Sequence, residues 1–144
     1  MYHYTESGLQ NVWLKNGYVI HKTRYGKGVA IRDVEDLHRV IGRSIAQQPW
    51  LTGAQLRFLR KEMGMSQAAL ALLLGTSEQN ISLWERRGRI PKASDRLIRL
   101  LYLEHTDEER PQIRALIDRI NALDKVDQER MEFEQSKKEW REAA

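Results

Sequence analysis

The sequence contains no cysteine among its 144 residues, which excludes disulfides, thiolate zinc sites and cysteine nucleophiles together. What remains suits a reducing cytoplasm. No apolar run approaches the roughly 18 residues that cross a bilayer, the longest being Ala68 to Leu74. The first residues lack a signal-peptide pattern, so a soluble, unexported, cytoplasmic and nucleoid-associated protein without membrane contact is expected. Catalytic signatures are also missing: there is no nucleophile elbow, no phosphate loop and no His-Glu-x-x-His pattern. Neither an enzyme nor a cofactor is expected. The four histidines, His3, His21, His38 and His105, show no paired ligand spacing, and no metal site is expected. Internal repeats and low-complexity tracts are absent too. A chain this short leaves little room for a large substrate cleft, and that favours a binding module.

Charge is plentiful but uneven. Residues 1–50 carry 7 basic and 4 acidic side chains, residues 51–105 carry 9 and 5, and residues 106–144 carry 8 and 11. A basic front and middle with an acidic tail suit a polyanion contacted by the first two segments and avoided by the third. An ordinarily solvated surface stays open on charge alone.

Hydrophobic period divides the chain into three stretches. Over 1–49, Asn11 to Lys15 and Tyr18 to Arg24 alternate apolar and polar residues around Asn16-Gly17, a hairpin signal, and Val29 to Arg32 suggests a third strand. Tyr25-Gly26-Lys27-Gly28 reads as a turn rather than a phosphate loop. From Asp33, a candidate N-cap, the period becomes helical through Leu37, Val40, Ile41 and Ile45, and Pro49 marks a boundary. Over 50–105 several short helices follow. Leu56, Leu59 and Met63 precede Gly64; Ser66 caps Leu70, Leu73 and Leu74 up to Gly75; Ser77 caps Ile81 and Trp84; Leu97, Ile98, Leu100 and Leu101 follow Pro91. Over 106–144 a charged helical tail keeps Ile113, Leu116, Ile117, Ile120, Leu123 and Val126 at spacings of three and four, with Pro111 in its first turn. That stripe needs a partner, in its own chain or another. After Val126 the pattern weakens, leaving Met131, Phe133 and Trp140 in a stretch expected to fray. The fold class expected is mainly α, with a small N-terminal α+β segment.

The run from Ser66 to Glu85 is specific. Ser66-Gln67, Leu70-Ala71, Leu74-Gly75, Ser77, Ile81-Ser82 and Trp84-Glu85, preceded by Leu56-Arg57 and Leu59-Arg60, stand at the spacing of the Xre/Cro-type helix-turn-helix signature, and residues 51 to about 105 resemble that family. Gly88 departs from it, lying three residues after Glu85 rather than two. The resemblance implies a five-helix DNA-binding domain, a phosphate contact from Gln67, and an Arg60–Glu85 ion pair. The periodicity of the third helix agrees: with Ile81 and Trp84 inward, Glu78, Gln79, Ser82, Leu83 and Arg86 face outward. A helix fits the major groove, where Gln or Asn can pair bidentately with adenine. Gln79 is the leading base reader and Asn80 the next. Ser77 begins the same helix. Glu78 could accept from a cytosine amine and Leu83 could touch a thymine methyl. Arg86, Arg87, Arg89 and Lys92 suit phosphates, or form a merely solvated basic loop.

The N-terminal segment is similar to MqsA-type antitoxins and their regulator relatives, through Tyr4, Glu6-Ser7-Gly8-Leu9, Asn11-Val12-Trp13-Leu14 and Leu51-Thr52-Gly53, without the zinc-binding cysteine pairs of that family. These readings imply a transcription regulator that binds double-stranded DNA as a homodimer, with repression as its mode. The alternative is an antitoxin that neutralises a toxin protein and represses its own operon.

Overall fold

The structure is a computed structural model, and it describes residues 1–107, 112–123 and 130–143. Strand β1 (Tyr2–His3) pairs antiparallel with β2 (Trp13–Leu14), with a short 3-10 turn at Thr5–Ser7 between them. Strands β3 (Tyr18–Thr23) and β4 (Gly26–Ile31) form a hairpin. Helices α1 (Val34–Ala46), α2 (Gly53–Glu62), α3 (Gln67–Leu74), α4 (Glu78–Arg87), α5 (Lys92–Thr106) and α6 (Gln112–Leu123) follow, then a last hairpin of β5 (Phe133–Ser136) and β6 (Glu139–Glu142).

One apolar cluster runs from Leu9 through Ile45 and Ala46 into Leu51, Leu56, Leu59, Leu70, Ile81 and Ile98, so burial is continuous across Pro49. The joints around it are polar and specific. Asp95 of α5, only 4% exposed, accepts from the Leu51 amide at 2.7 Å and from Arg99 Nε at 2.7 Å. Arg99 in turn donates to the carbonyls of Gln48 and Pro49, tying the segment before α2 to α5. His38 on α1 bridges two partners: Nδ1 is hydrogen-bonded to the Glu62 carboxylate of α2 at 2.9 Å, and Nε2 to the Tyr4 hydroxyl at 2.7 Å. Burial, reinforced by the charges of Glu6 and Glu62, pushes the Tyr4 phenol above its ordinary pKa and keeps it a donor. Helix α1 also packs closely on α5: a Cβ on Gly42 would lie 2.0 Å from the Tyr102 hydroxyl.

Four expectations need correction. Asn16-Gly17 does not join two strands: the Gly17 carbonyl accepts the Arg32 amide at 2.8 Å and closes the base of β3–β4, whose turn is Arg24-Tyr25. β2 pairs with β1 instead, and Leu14 is buried, as are Tyr4 and Leu9. Val40 and Leu100 are exposed although they fit the apolar stripes. At about 100° per residue, Val40 lies well off the line of Leu37, Ile41 and Ile45, and Leu100 lies on the far side of α5 from Ile98 and Tyr102. Finally, 133–142 is a hairpin rather than helix: Lys137 and Lys138 adopt positive φ at the turn, and Glu134 pairs with the directly opposed Arg141 at 2.7 Å.

The tail stripe divides. Ile113 and Ile117 pack against the chain's own core, while Leu116 and Ile120 are exposed. The Glu104 carboxylate caps the start of α6 by accepting the Ile113 amide at 2.8 Å. Asn121 Nδ2 donates to the Leu72 carbonyl at 3.0 Å, fixing the other end against α3. Pro111 and Val126 lie outside the described residues.

Candidate nucleic-acid interface

Helices α3 and α4 begin and end on local chemistry. The Ser66 hydroxyl accepts the Ala69 amide at 3.0 Å, and the Ser77 hydroxyl accepts the Asn80 amide at 3.1 Å. Each cap satisfies an otherwise orphaned helix donor and is worth about 1 kcal/mol. Gly75 ends α3 at φ 72°, and the Thr76 amide bonds back to the Ala71 carbonyl at 2.9 Å, so the chain turns sharply into α4. Gly88 ends α4 in the same left-handed conformation. The extra residue before it therefore extends the helix through Arg87.

Packing orients the pair. Leu70 and Ile81 are fully buried, with Ala71, Leu73 and Trp84 nearly so. The Arg60 guanidinium of α2 grips Glu85 through two bonds, Nε to Oε2 at 2.8 Å and Nη2 to Oε1 at 2.9 Å, while Nη1 donates to the Met65 carbonyl at 3.0 Å. The start of α2 also abuts the end of α4, since a Cβ on Gly53 would meet the Glu85 carbonyl oxygen at 2.2 Å. Helix α4 is thus held from behind by an apolar face and at its end by α2.

Its other face is open. Glu78, Gln79, Arg86 and Arg87 are exposed, as are Arg89 and Lys92 beyond it; Ser82, Leu83 and Gln67 are half-buried. Ser77 is exposed but engaged as the cap. Asn80 Nδ2 donates to the Thr76 hydroxyl at 2.9 Å, so a bidentate contact by Asn80 would break that bond. Gln79 makes no side-chain hydrogen bond among the described residues. Arg86 Nε leans along the helix to the Ser82 carbonyl at 3.4 Å.

Sequence reasoning passed over two neighbours. A pocket of about 430 Å³ lies between Pro49-Trp50-Leu51, Gly88-Arg89-Ile90 and the first turns of α5, where Arg96 stands one turn beyond Lys92. Trp50, 64% exposed, borders it. The four-residue spacing of Lys92 and Arg96 was a visible signal; the approach of Trp50 to α5 depends on the Asp95 and Arg99 bonds and was not.

A family model described as helix-turn-helix matches residues 56–99, from the middle of α2 to the middle of α5. That segment is similar to a DNA-binding regulatory domain, which suggests a DNA-binding transcription regulator. No curated protein and no solved structure matches the chain. Among the described residues, no helix is long and apolar enough to cross a membrane.

Proposed function

We propose that the protein is a sequence-specific transcription regulator, a repressor that binds an inverted repeat in double-stranded DNA as a homodimer. The observation that carries this reading is α4 itself, within the helix-turn-helix match: Ile81 and Trp84 are buried behind it while Glu78, Gln79, Arg86 and Arg87 face solvent. In this reading Gln79 pairs with a base in the major groove, and Glu78 and Leu83 face a cytosine amine and a thymine methyl. Gln67, at the start of α3, holds a phosphate where helix amides already favour an anion. Arg86, Arg87, Arg89 and Lys92 take further phosphates and fix the register of α4 on the duplex.

Helix α6 serves as the fifth helix of the domain, packed on α3 and α5. Leu72, Leu116 and Ile120, each more than half exposed, supply the surface for a second copy. A single recognition helix reads few base pairs, and a two-fold dimer doubles the site.

Selection of duplexes from a random pool by the purified protein tests the proposal. Enrichment of an inverted repeat with half-site centres about 34 Å apart, or a multiple of it, is the expected result. Recovery of a pool with no shared sequence would contradict it.

A further inference from the structure

The β3–β4 hairpin takes no part in the interface described above. From Ser7 to Arg32 the chain has no acidic residue, yet it carries Lys15, Lys22, Arg24, Lys27 and Arg32. The hairpin is a six-pair antiparallel ribbon that extends roughly 20 Å at the usual rise of a strand. The Arg32–Gly17 bond closes its base, and among the described residues the ring contact that ties it to the rest of the chain is Tyr2–Tyr18, also at the base.

Register makes the outer half unusual. Lys22 and Lys27 are directly opposed, so their side chains leave the same face as neighbours. Like charges in that position destabilise a hairpin, and no acidic group among the described residues pairs with either. Arg24 and Tyr25 form the turn, with Tyr25 94% exposed. On the opposite face Gly26, Gly28 and Ala30 of β4 stand across from Thr23, His21 and Val19 of β3. Gly26 needs its glycine for a φ of 125°, but Gly28 has no positive φ and no atom within 4 Å of a built Cβ. Neither backbone strain nor packing inside the chain calls for a glycine at 28. A two-stranded ribbon fits a DNA groove.

We propose that the β3–β4 hairpin is a second DNA-binding element, a basic arm whose Lys22, Arg24 and Lys27 hold phosphates of the duplex that α4 reads. The arm rests on the DNA-binding function proposed above. A stretch with cations and no acidic residue complements a polyanion that carries one charge per 1.7 Å or so of helix axis. Bound phosphate also relieves the Lys22–Lys27 repulsion, which no acidic group among the described residues relieves.

The test compares wild type with a Lys22→Gln/Arg24→Gln/Lys27→Gln variant on the duplex selected by the wild type and on a random duplex of equal length, across a salt series. Each lost phosphate contact lowers the slope of log affinity against log salt by about 0.9. A drop of about two to three in slope per dimer half on both duplexes is the expected result. Because the three side chains are exposed and two of them repel, the variant should melt no lower than wild type. The charge-preserving Lys22→Arg/Lys27→Arg variant should bind as wild type does. If the neutralised variant keeps the wild-type affinity and slope, the arm does not touch DNA and the proposal is overturned. It is equally overturned if DNA binding is kept while a co-purifying acidic protein is lost, since the arm then serves that protein. Should the wild type itself bind neither duplex, the helix-turn-helix reading fails first, an outcome distinct from failure of the arm alone.

Discussion

Arg60 and Glu85 face each other across α2 and α4 in a bidentate pair, with side chains only 10% and 5% exposed. The pair links the scaffold helix to the end of the candidate recognition helix, and the third guanidinium nitrogen is taken by the Met65 carbonyl. Because both charges are buried, removing one strands the other. Arg60→Met should therefore cost about 3 to 5 kcal/mol of unfolding free energy. Urea denaturation of wild type and variant measures this, and equal midpoints would show that the pair contributes nothing.

Gly53 sets how closely α2 can approach α4. A methyl group there would meet backbone atoms of Trp84 and Glu85, the carbonyl oxygen of Glu85 at 2.2 Å, and backbone yields less readily than a side-chain tip. Gly53→Ala should destabilise by about 1 to 3 kcal/mol, despite the gain in helix propensity, and should weaken DNA binding by tilting α4. Gly64→Ala, where no atom lies within 4 Å, separates clash from conformation: its cost comes only from φ of 70° and should leave DNA affinity unchanged once the protein is folded. A Gly53→Ala protein as stable as wild type, by the same denaturation, would remove the close approach from the account.

Sequence legibility followed the range of the interactions. Ser66, Ser77 and Gly75 were readable because caps act within four residues, and Ile81 and Trp84 because one face repeats along a single helix. The Arg60–Glu85 pair was accessible through resemblance alone. Asp95, by contrast, bonds Leu51 from 44 positions away, and Tyr4 reaches His38 across 34; no local pattern encodes either contact. The pairing of β3 was misread because Asn-Gly is a strong turn signal whatever the strands around it do. The division of the α6 stripe between core and solvent likewise depended on where α6 docks, which its own period does not specify.

Exposed Leu116 and Ile120 give the dimer a specific expectation. Leu116→Asp/Ile120→Asp should shift sedimentation from a dimer to a monomer, since placing carboxylates in an apolar contact desolvates them without partners. Its affinity for the inverted repeat should fall while its melting temperature stays near that of wild type, the two side chains being exposed within one chain. A variant that remains dimeric would move the contact elsewhere.

Groove contacts and phosphate contacts should separate experimentally, because only the first discriminate bases. Arg87→Ala should weaken binding to the selected repeat and to random DNA alike, and lower the salt slope by about 0.9 per dimer half. Fluorescence anisotropy on both duplexes across a salt series measures it. An effect confined to the selected repeat would make Arg87 a base reader instead.

The central claim is that α4 reads bases through Gln79, and the direct measurement is the affinity of Gln79→Ala for the selected repeat and for random DNA at one fixed salt concentration. Gln79 is exposed, so the variant should fold as wild type does. The account predicts a loss of about 1 to 3 kcal/mol per half-site on the selected repeat and almost none on random DNA. Equal weakening on both duplexes, or none on either, would contradict it and remove α4 as the reading element.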